Sequence, residues 1–189
     1  MDAVTATAEM TAAEFLALGP NPRGVRQELI DGELVVNEPG WLHNEAQLEI
    51  AFALKSWTRS GTERGSVGLP LDVLLDDQNV YEPDVVWYRH GRAPKRDDPL
   101  PYPVPDIAVE VRSPSTWRFD IGAKKANYER YGAAELWLVD TAADVVLLFR
   151  RSKPDGRDFD VSLELTAANA LTSPLLPGFS LPVGEIFAA

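Results

Sequence analysis

The chain has no cysteine and only two histidines among its 189 residues. Without cysteine, a disulfide scaffold, a thiolate metal site and a cysteine nucleophile are excluded, and two histidines disfavour a multi-histidine zinc site. No apolar run approaches the roughly 20 residues of a membrane helix. The first ten residues also lack the basic start and apolar stretch of a signal peptide. We therefore expect a soluble cytoplasmic protein.

Positive charge is scarce too, since 18 Lys and Arg face 29 Asp and Glu and the net charge is −11. That balance alone disfavours nucleic-acid binding. The acidity is uneven, however: residues 1–88 carry 5 basic and 15 acidic side chains (net −10), and residues 89–157 carry 13 and 10 (net +3). Residues 158–189 carry no basic and 4 acidic side chains (net −4). The basic clusters of the middle third indicate either solvated faces or a phosphate-facing surface. They are Arg89, Arg92, Lys95 and Arg96; Arg112, Arg118, Lys124, Lys125 and Arg130; and Arg150, Arg151, Lys153 and Arg157.

Hydrophobic residues make up 45% of the chain, which is enough for the core of one domain. We predict a flexible tail over residues 1–10 and a single domain over 11–189. Thr11 and Glu14 have capping-box spacing at a short first helix, and the dipeptide Asp31-Gly32 predicts a hairpin turn. A second, longer helix over 42–61 is predicted from apolar residues at helical spacing, namely Leu42, Ala46, Ile50, Ala53 and Trp57.

Strand-like segments dominate after that helix, and one further helix is predicted over 117–132. Single strands are predicted in SVGLPLDVLL, YEPDVVWYR and DIAVEVR, and three more follow the last helix. Because this helix lies between two apolar strands, a right-handed parallel crossover is expected. The predicted fold class is α/β, a central mixed β-sheet flanked by helices, with an N-terminal β-hairpin extension.

Two of these strands each carry a carboxylate in an apolar context. Strand alternation puts Asp84 on one face of its strand and Glu110 on one face of the next. A buried carboxylate is costly unless it is paired, protonated or bound to a cation. If the two align, they form a hard-oxygen site suited to Mg²⁺ or Mn²⁺. The structural alternatives are a turn-bonding role for Asp84 and a salt bridge for Glu110.

At these residues the sequence resembles the PD-(D/E)XK nuclease superfamily. Within it, the chain is similar to a bacterial family of "putative restriction endonucleases" that was formerly a domain of unknown function. The similarity runs over about residues 11–187. It is carried by ELIDGEL at 28–34, the helix that opens near His43, EPDVV at 82–86 and PDIAVEVRSPST at 105–116, followed by Asp120, Lys124, Tyr128 and Gly132, ELWLVD at 135–140 and LTSPLLPGFSLPV at 171–183.

The resemblance implies a restriction endonuclease-like fold and a metal-dependent nuclease site. It implies that Asp84 and Glu110 are metal ligands and catalytic residues. The superfamily usually has lysine two positions after the second acid, where this chain has Arg112. Arginine stays protonated and cannot act as a general base, although it can contact a phosphate. Lys124, from the following helix, matches the place of the catalytic lysine.

Other residues of the pattern leave alternatives open. Asp120, Lys124 and Tyr128 lie on one helix face by their spacing, and an Asp120–Lys124 ion pair on a solvated face is the structural alternative. His43 is assigned to substrate binding, although a lone histidine is more often a cap or a packed side chain. Glu28 has either a turn-organising role or one near the metal.

We therefore expect an Mg²⁺- or Mn²⁺-dependent endonuclease that hydrolyses phosphodiester bonds, with DNA as substrate. Asp84, Glu110 and Lys124 would be catalytic, and Arg112 and His43 would bind substrate. One alternative is a catalytically inactive nuclease-fold protein that serves as a binding module. Another is a hydrolase of small phosphorylated substrates, which a closed pocket would favour. A homodimer is compatible with cutting both strands.

Overall fold

The structure is a computed structural model and describes residues 9–20 and 25–188. Helix α1 (Ala12–Ala17) begins at Thr11, and the predicted capping box with Glu14 is present. Strands β1 (Arg26–Ile30) and β2 (Glu33–Asn37) form the predicted hairpin. Asp31 and Gly32 have φ of 47° and 78°, the left-handed values that a two-residue hairpin turn requires.

The N-terminal hairpin belongs to a sheet of four antiparallel strands, whose other two members are β4 (Val73–Asp76) and β5 (Asn79–Tyr81). The strand order is β2-β1-β5-β4. The hairpin is therefore half of a second, smaller sheet. Most of the predicted tail lies outside the described residues, but the Met10 backbone amide donates to Gly32 O at 3.0 Å.

The central sheet has six strands. Its edge strand β3 (Ser66–Gly68) is antiparallel to β6 (Val85–Tyr88), and β6 is antiparallel to β7 (Ile107–Val111). Strand β7 is parallel to β8 (Glu135–Asp140), as predicted for a crossover connection. The sheet is completed by two antiparallel strands, β9 (Val145–Arg150) and β10 (Val161–Leu165).

Helical segments cover this sheet. Helix α2 (Trp41–Arg59) crosses one face, and the β7–β8 crossover contains α3 (Trp117–Phe119), a π-helical turn (Asp120–Lys124) and α4 (Lys125–Arg130). The chain ends in a ribbon of β11 (Ala170–Leu171) and β12 (Leu181–Pro182), followed by α5 (Val183–Ile186). No helix in the described ranges is both long and apolar enough to cross a membrane.

The sheet separates two apolar clusters. Residues Ile107, Val109 and Val111 of β7 point into the cluster under α2, whereas Ala108 points into the cluster on the other face. All five residues of β7 are buried, as expected for a strand covered on both faces. This alternation was predicted, and it leaves Glu110 on the same face as Ala108.

Three predictions within the described residues are wrong. The segment 66–75 is not one strand, because β3 joins the six-stranded sheet and β4 joins the four-stranded one. The segment 81–89 is not one strand either, because Tyr81 ends β5 of the four-stranded sheet whereas β6 belongs to the six-stranded one. Leu42 does not lie on the buried face of α2, since it is 57% exposed and His43 takes the inward position instead.

Candidate active site

Asp84 and Glu110 lie opposite each other at one end of the β6–β7 pair. The register pairs Val85 with Val109, and continuing it by one residue places Asp84 against Glu110. Both residues are only 3% exposed. The Val111 backbone amide donates to Asp84 Oδ2 at 2.6 Å, so the two strand ends are joined by this carboxylate.

Lys124 is buried among three carboxylates. Its Nζ lies 2.8 Å from Glu28 Oε1, 2.8 Å from Glu110 Oε1 and 3.3 Å from Asp120 Oδ1. The predicted Asp120–Lys124 pair is thus present, but it lies in the interior rather than on a solvated face. Both of its residues belong to the π-helical turn, a distortion that is frequent at functional sites. Tyr128 Oη, on the following turn of α4, donates to Glu110 Oε1 at 2.6 Å.

The Asp84 carboxylate is held by further groups on its other side. His43 Nε2 lies 2.8 Å from Asp84 Oδ1, and the Arg26 guanidinium forms an ion pair with the same oxygen. Gln47 Nε2 donates to the Asp84 carbonyl at 2.8 Å, while its Oε1 accepts from Arg26 at 3.0 Å. Because an ionised carboxylate only accepts hydrogen bonds, Nε2 of His43 carries a proton. Its Nδ1 is buried without a hydrogen-bond partner among the described residues.

Burial and neighbouring charge shift the pKa values of Glu110, Asp120 and Asp84 differently. Burial raises the pKa of Glu110 well above its ordinary value, and the nearby carboxylates of Glu28 and Asp120 add to the rise, against the opposing effect of Lys124. Burial likewise raises the pKa of Asp120 to about 6. Burial also works to raise the pKa of Asp84, but the hydrogen bond and charge of His43, together with Arg26, hold it below the usual value. Such divergent values are typical of active sites.

The cluster contains more acidic side chains than permanently charged cations. Four buried carboxylates, those of Glu28, Asp84, Glu110 and Asp120, face two permanently charged cations, Lys124 and Arg26. A divalent cation would balance the excess, and carboxylate oxygens are the donors that Mg²⁺ and Mn²⁺ prefer.

The described residues do not form a complete set of protein ligands for a metal ion. Within residues 9–20 and 25–188, no group of three or more His, Cys, Asp and Glu residues is placed to hold an ion. Mg²⁺, however, is commonly held by one or two carboxylates, with water and phosphate as its other ligands. Glu110 receives both of its polar contacts on Oε1, so Oε2 remains available as a donor. The residues present therefore fit a two-carboxylate site.

Arg112 does not join this cluster. Its Nη1 donates to Asp140 Oδ1 at 2.8 Å and to Oδ2 at 3.0 Å, and the guanidinium lies over the Trp117 ring. Members of two basic clusters from the sequence lie at the opposite end of the central sheet. There Arg89, Arg92, Arg150, Arg151 and Lys153 line a cavity of about 690 Å³, together with Asp106 and Glu135.

Sequence reasoning missed three residues of the site. Arg26 and Gln47 act on Asp84 directly, and Glu82 holds Glu28 in place because its backbone amide donates to Glu28 Oε1 at 2.9 Å. Burial raises the pKa of Glu82 to about 7. The one available signal was position: Gln47 follows His43 by one helical turn, so both must face the same way.

Comparison with known proteins agrees with the observed fold. A family model, Uma2, described as "putative restriction endonuclease", matches residues 12–184. A solved structure, a "putative nuclease belonging to DUF820" from Anabaena variabilis, superposes with a TM-score of 0.78. It is 18% identical, and the match covers 95% of this chain and 98% of that one, so it shows the fold alone. No curated protein matches the chain. Because the Uma2 model covers nearly the whole domain, the chain belongs to this family of "putative restriction endonucleases".

Proposed function

We propose that this protein is a divalent-metal-dependent endonuclease that hydrolyses phosphodiester bonds in DNA. The observation that carries the proposal is the buried cluster in which Asp84 and Glu110 face each other beside Lys124. DNA is the proposed substrate because restriction endonucleases, for which the family is named, cut DNA.

Asp84 and Glu110 are the residues that would hold the metal ion. A bound Mg²⁺ or Mn²⁺ supplies Lewis-acid polarisation of the phosphodiester and lowers the pKa of a coordinated water. Tyr128 fixes the Glu110 carboxylate through a hydrogen bond of 2.6 Å, and His43, Arg26 and the Val111 amide fix that of Asp84. Both ligands are thus oriented before substrate arrives.

Lys124 and His43 are assigned to the substrate and the attacking water. Lys124 Nζ is held by three acids, so its positive charge is fixed beside Glu110, where it stabilises charge developing on the phosphoryl oxygens. His43 Nδ1 is buried without a partner among the described residues, and we assign this ring nitrogen to a hydrogen bond with that water. Arg112, bound to Asp140, has no part in this assignment.

The test is cleavage of supercoiled plasmid and of oligonucleotide DNA with Mg²⁺, with Mn²⁺ and with EDTA. We expect metal-dependent cutting by the wild type and a loss of at least about 100-fold in D84N, E110Q and K124M. The matched control is D106N. Asp106 is 1% exposed and bound to Arg89 and Arg92, but it lies at the other end of the sheet. Its loss should leave cutting unchanged in folded protein.

Binding of the metal is measured separately by titration calorimetry with Mn²⁺. Heat from the wild type that is absent in D84N and E110Q supports the two ligands independently of cleavage. If the wild type binds DNA but neither takes up Mn²⁺ nor cuts, the alternative of an inactive nuclease-fold binding module replaces this proposal. Cutting that survives in D84N would assign the activity to a contaminant.

A further inference from the structure

Helix α2 has two faces of opposite character. At 100° per residue, the buried positions gather on one side of the helix. These are His43, Ala46, Gln47, Ile50, Leu54 and Trp57. The opposite side, which faces away from the core, carries Trp41, Leu48 and Phe52, which are 73%, 61% and 67% exposed. Three large exposed apolar side chains in one line are unusual for a free surface.

The outward line continues as a regular seam over the whole helix. Its positions are spaced alternately by four and three residues, which is the spacing that keeps one stripe facing a second helix. We call this line the α2 seam: Trp41, Glu45, Leu48, Phe52, Lys55 and Arg59. It is aromatic and acidic at its first end, apolar in the middle and basic at its last end.

The α2 seam is complementary to itself when a second copy runs antiparallel. Leu48 then meets Phe52 of the other copy, Glu45 meets its Lys55, and Trp41 meets its Arg59. Each pairing occurs twice around a two-fold axis, as in an isologous interface. The Leu48–Phe52 pairing is an apolar contact, the Glu45–Lys55 pairing is an ion pair, and the Trp41–Arg59 pairing is a cation–π contact. Parallel pairing would instead place Glu45 against Glu45 and Lys55 against Lys55.

We infer that the protein forms a homodimer through antiparallel packing of the α2 seam against the α2 seam of a second copy. The charge pattern selects this occupant, because a partner must present basic, apolar and acidic groups in the reverse order, and the chain itself does so. The inference stands apart from the proposed nuclease activity, because the seam lies on the side of α2 opposite His43 and Gln47.

The test is sedimentation equilibrium of the folded wild type and of charge-reversed variants. We expect the wild type to dimerise and E45K and K55E each to weaken the dimer about tenfold, because both ion pairs become like-charge contacts. The double variant E45K/K55E restores wild-type affinity. An equimolar mixture of E45K and K55E forms a heterodimer, since every charge then meets its opposite.

The apolar centre is tested with L48E. Its matched control is L163E, which alters an exposed leucine of β10 (43% exposed) outside the α2 seam. Dimerisation should be lost in L48E and retained in L163E. A wild type that stays monomeric at about 100 µM would overturn the inference, as would a dimer that L48E leaves intact. Failure of the E45K and K55E mixture to associate would overturn the antiparallel arrangement.

Discussion

Replacing Lys124 by methionine should destabilise the folded protein strongly without leaving a cavity. The lysine is 2% exposed and contacts the carboxylates of Glu28, Glu110 and Asp120. Removing one partner of a buried ionic cluster costs about 3–5 kcal/mol, because the remaining charges stay desolvated. Asp120 and Glu110 already have raised pKa values and can take up protons, so we expect the lower end, about 3 kcal/mol. In a protein of this size that lowers Tm by roughly 6–12 °C.

The cost of K124M should depend on pH with a defined sign. Glu110 and Asp120 have pKa values raised on folding, so these two acids destabilise the folded state above their unfolded pKa values and cease to do so below them. The difference in free energy of unfolding between wild type and K124M should therefore be largest near pH 7.5 and shrink towards pH 4.5. Urea unfolding followed by circular dichroism at both pH values measures it.

The next residue provides the control. Lys125 is half-buried and lies over the Phe149 ring at 4.7 Å, so K125M loses about 0.5–1 kcal/mol and little of it varies over this pH range. Equal destabilisation by K124M and K125M would refute the buried ionic cluster. So would a cost for K124M that stays constant from pH 7.5 to pH 4.5.

Three further substitutions probe the surroundings of the site and the core. R26Q removes the guanidinium from Asp84. We expect Mn²⁺ to bind about fivefold to tenfold more tightly in calorimetry, because the metal no longer competes with that cation. Weaker Mn²⁺ binding would instead show that Arg26 supports the metal site. Y128F removes the hydroxyl that donates to Glu110 and should lower the free energy of unfolding in urea by about 1–3 kcal/mol. An unchanged free energy of unfolding would contradict the 2.6 Å hydrogen bond. S173A removes the donor at 2.7 Å from Glu135 Oε1 and should cost about 1–2 kcal/mol at pH 7.5. Because burial raises the pKa of Glu135, this carboxyl takes up a proton as the pH falls, and the loss in free energy of unfolding caused by S173A should then shrink. A loss that becomes larger at low pH would refute this.

Local signals in the sequence predicted local structure well. The capping box at Thr11 and the turn at Asp31-Gly32 depend only on neighbouring residues, and both are confirmed. The inward direction of Glu110 followed from strand alternation. By contrast, the sequence could not show that 66–75 divides between two sheets, because the alternation of Val67, Leu69 and Leu71 suits one continuous strand.

The site was predictable only where one element or a known motif linked its members. Lys124 was found by its spacing from Asp120 and by the resemblance, and the structure brings it to Glu110. Arg26 is 58 positions from Asp84, and its approach depends on β1 joining β5, which the sequence does not encode locally. The net positive charge of residues 89–157 was likewise a poor guide to which basic residues lie near the site. Arg89 and Arg92 lie in the basic third of the chain, but both neutralise Asp106 at the far end of the sheet.

The energetics of the cluster argue for a role beyond holding the fold together. A buried ionic network is often no more stabilising than apolar side chains of the same volume, because desolvation offsets the attraction between its charges. The surrounding interior is already apolar on both faces of the sheet. Three carboxyl groups around Lys124 and a fourth paired with Arg26 are more acidic groups than the fold needs. Such an excess is unfavourable in the free protein and becomes favourable once a cation binds, which is the property that a metal site requires.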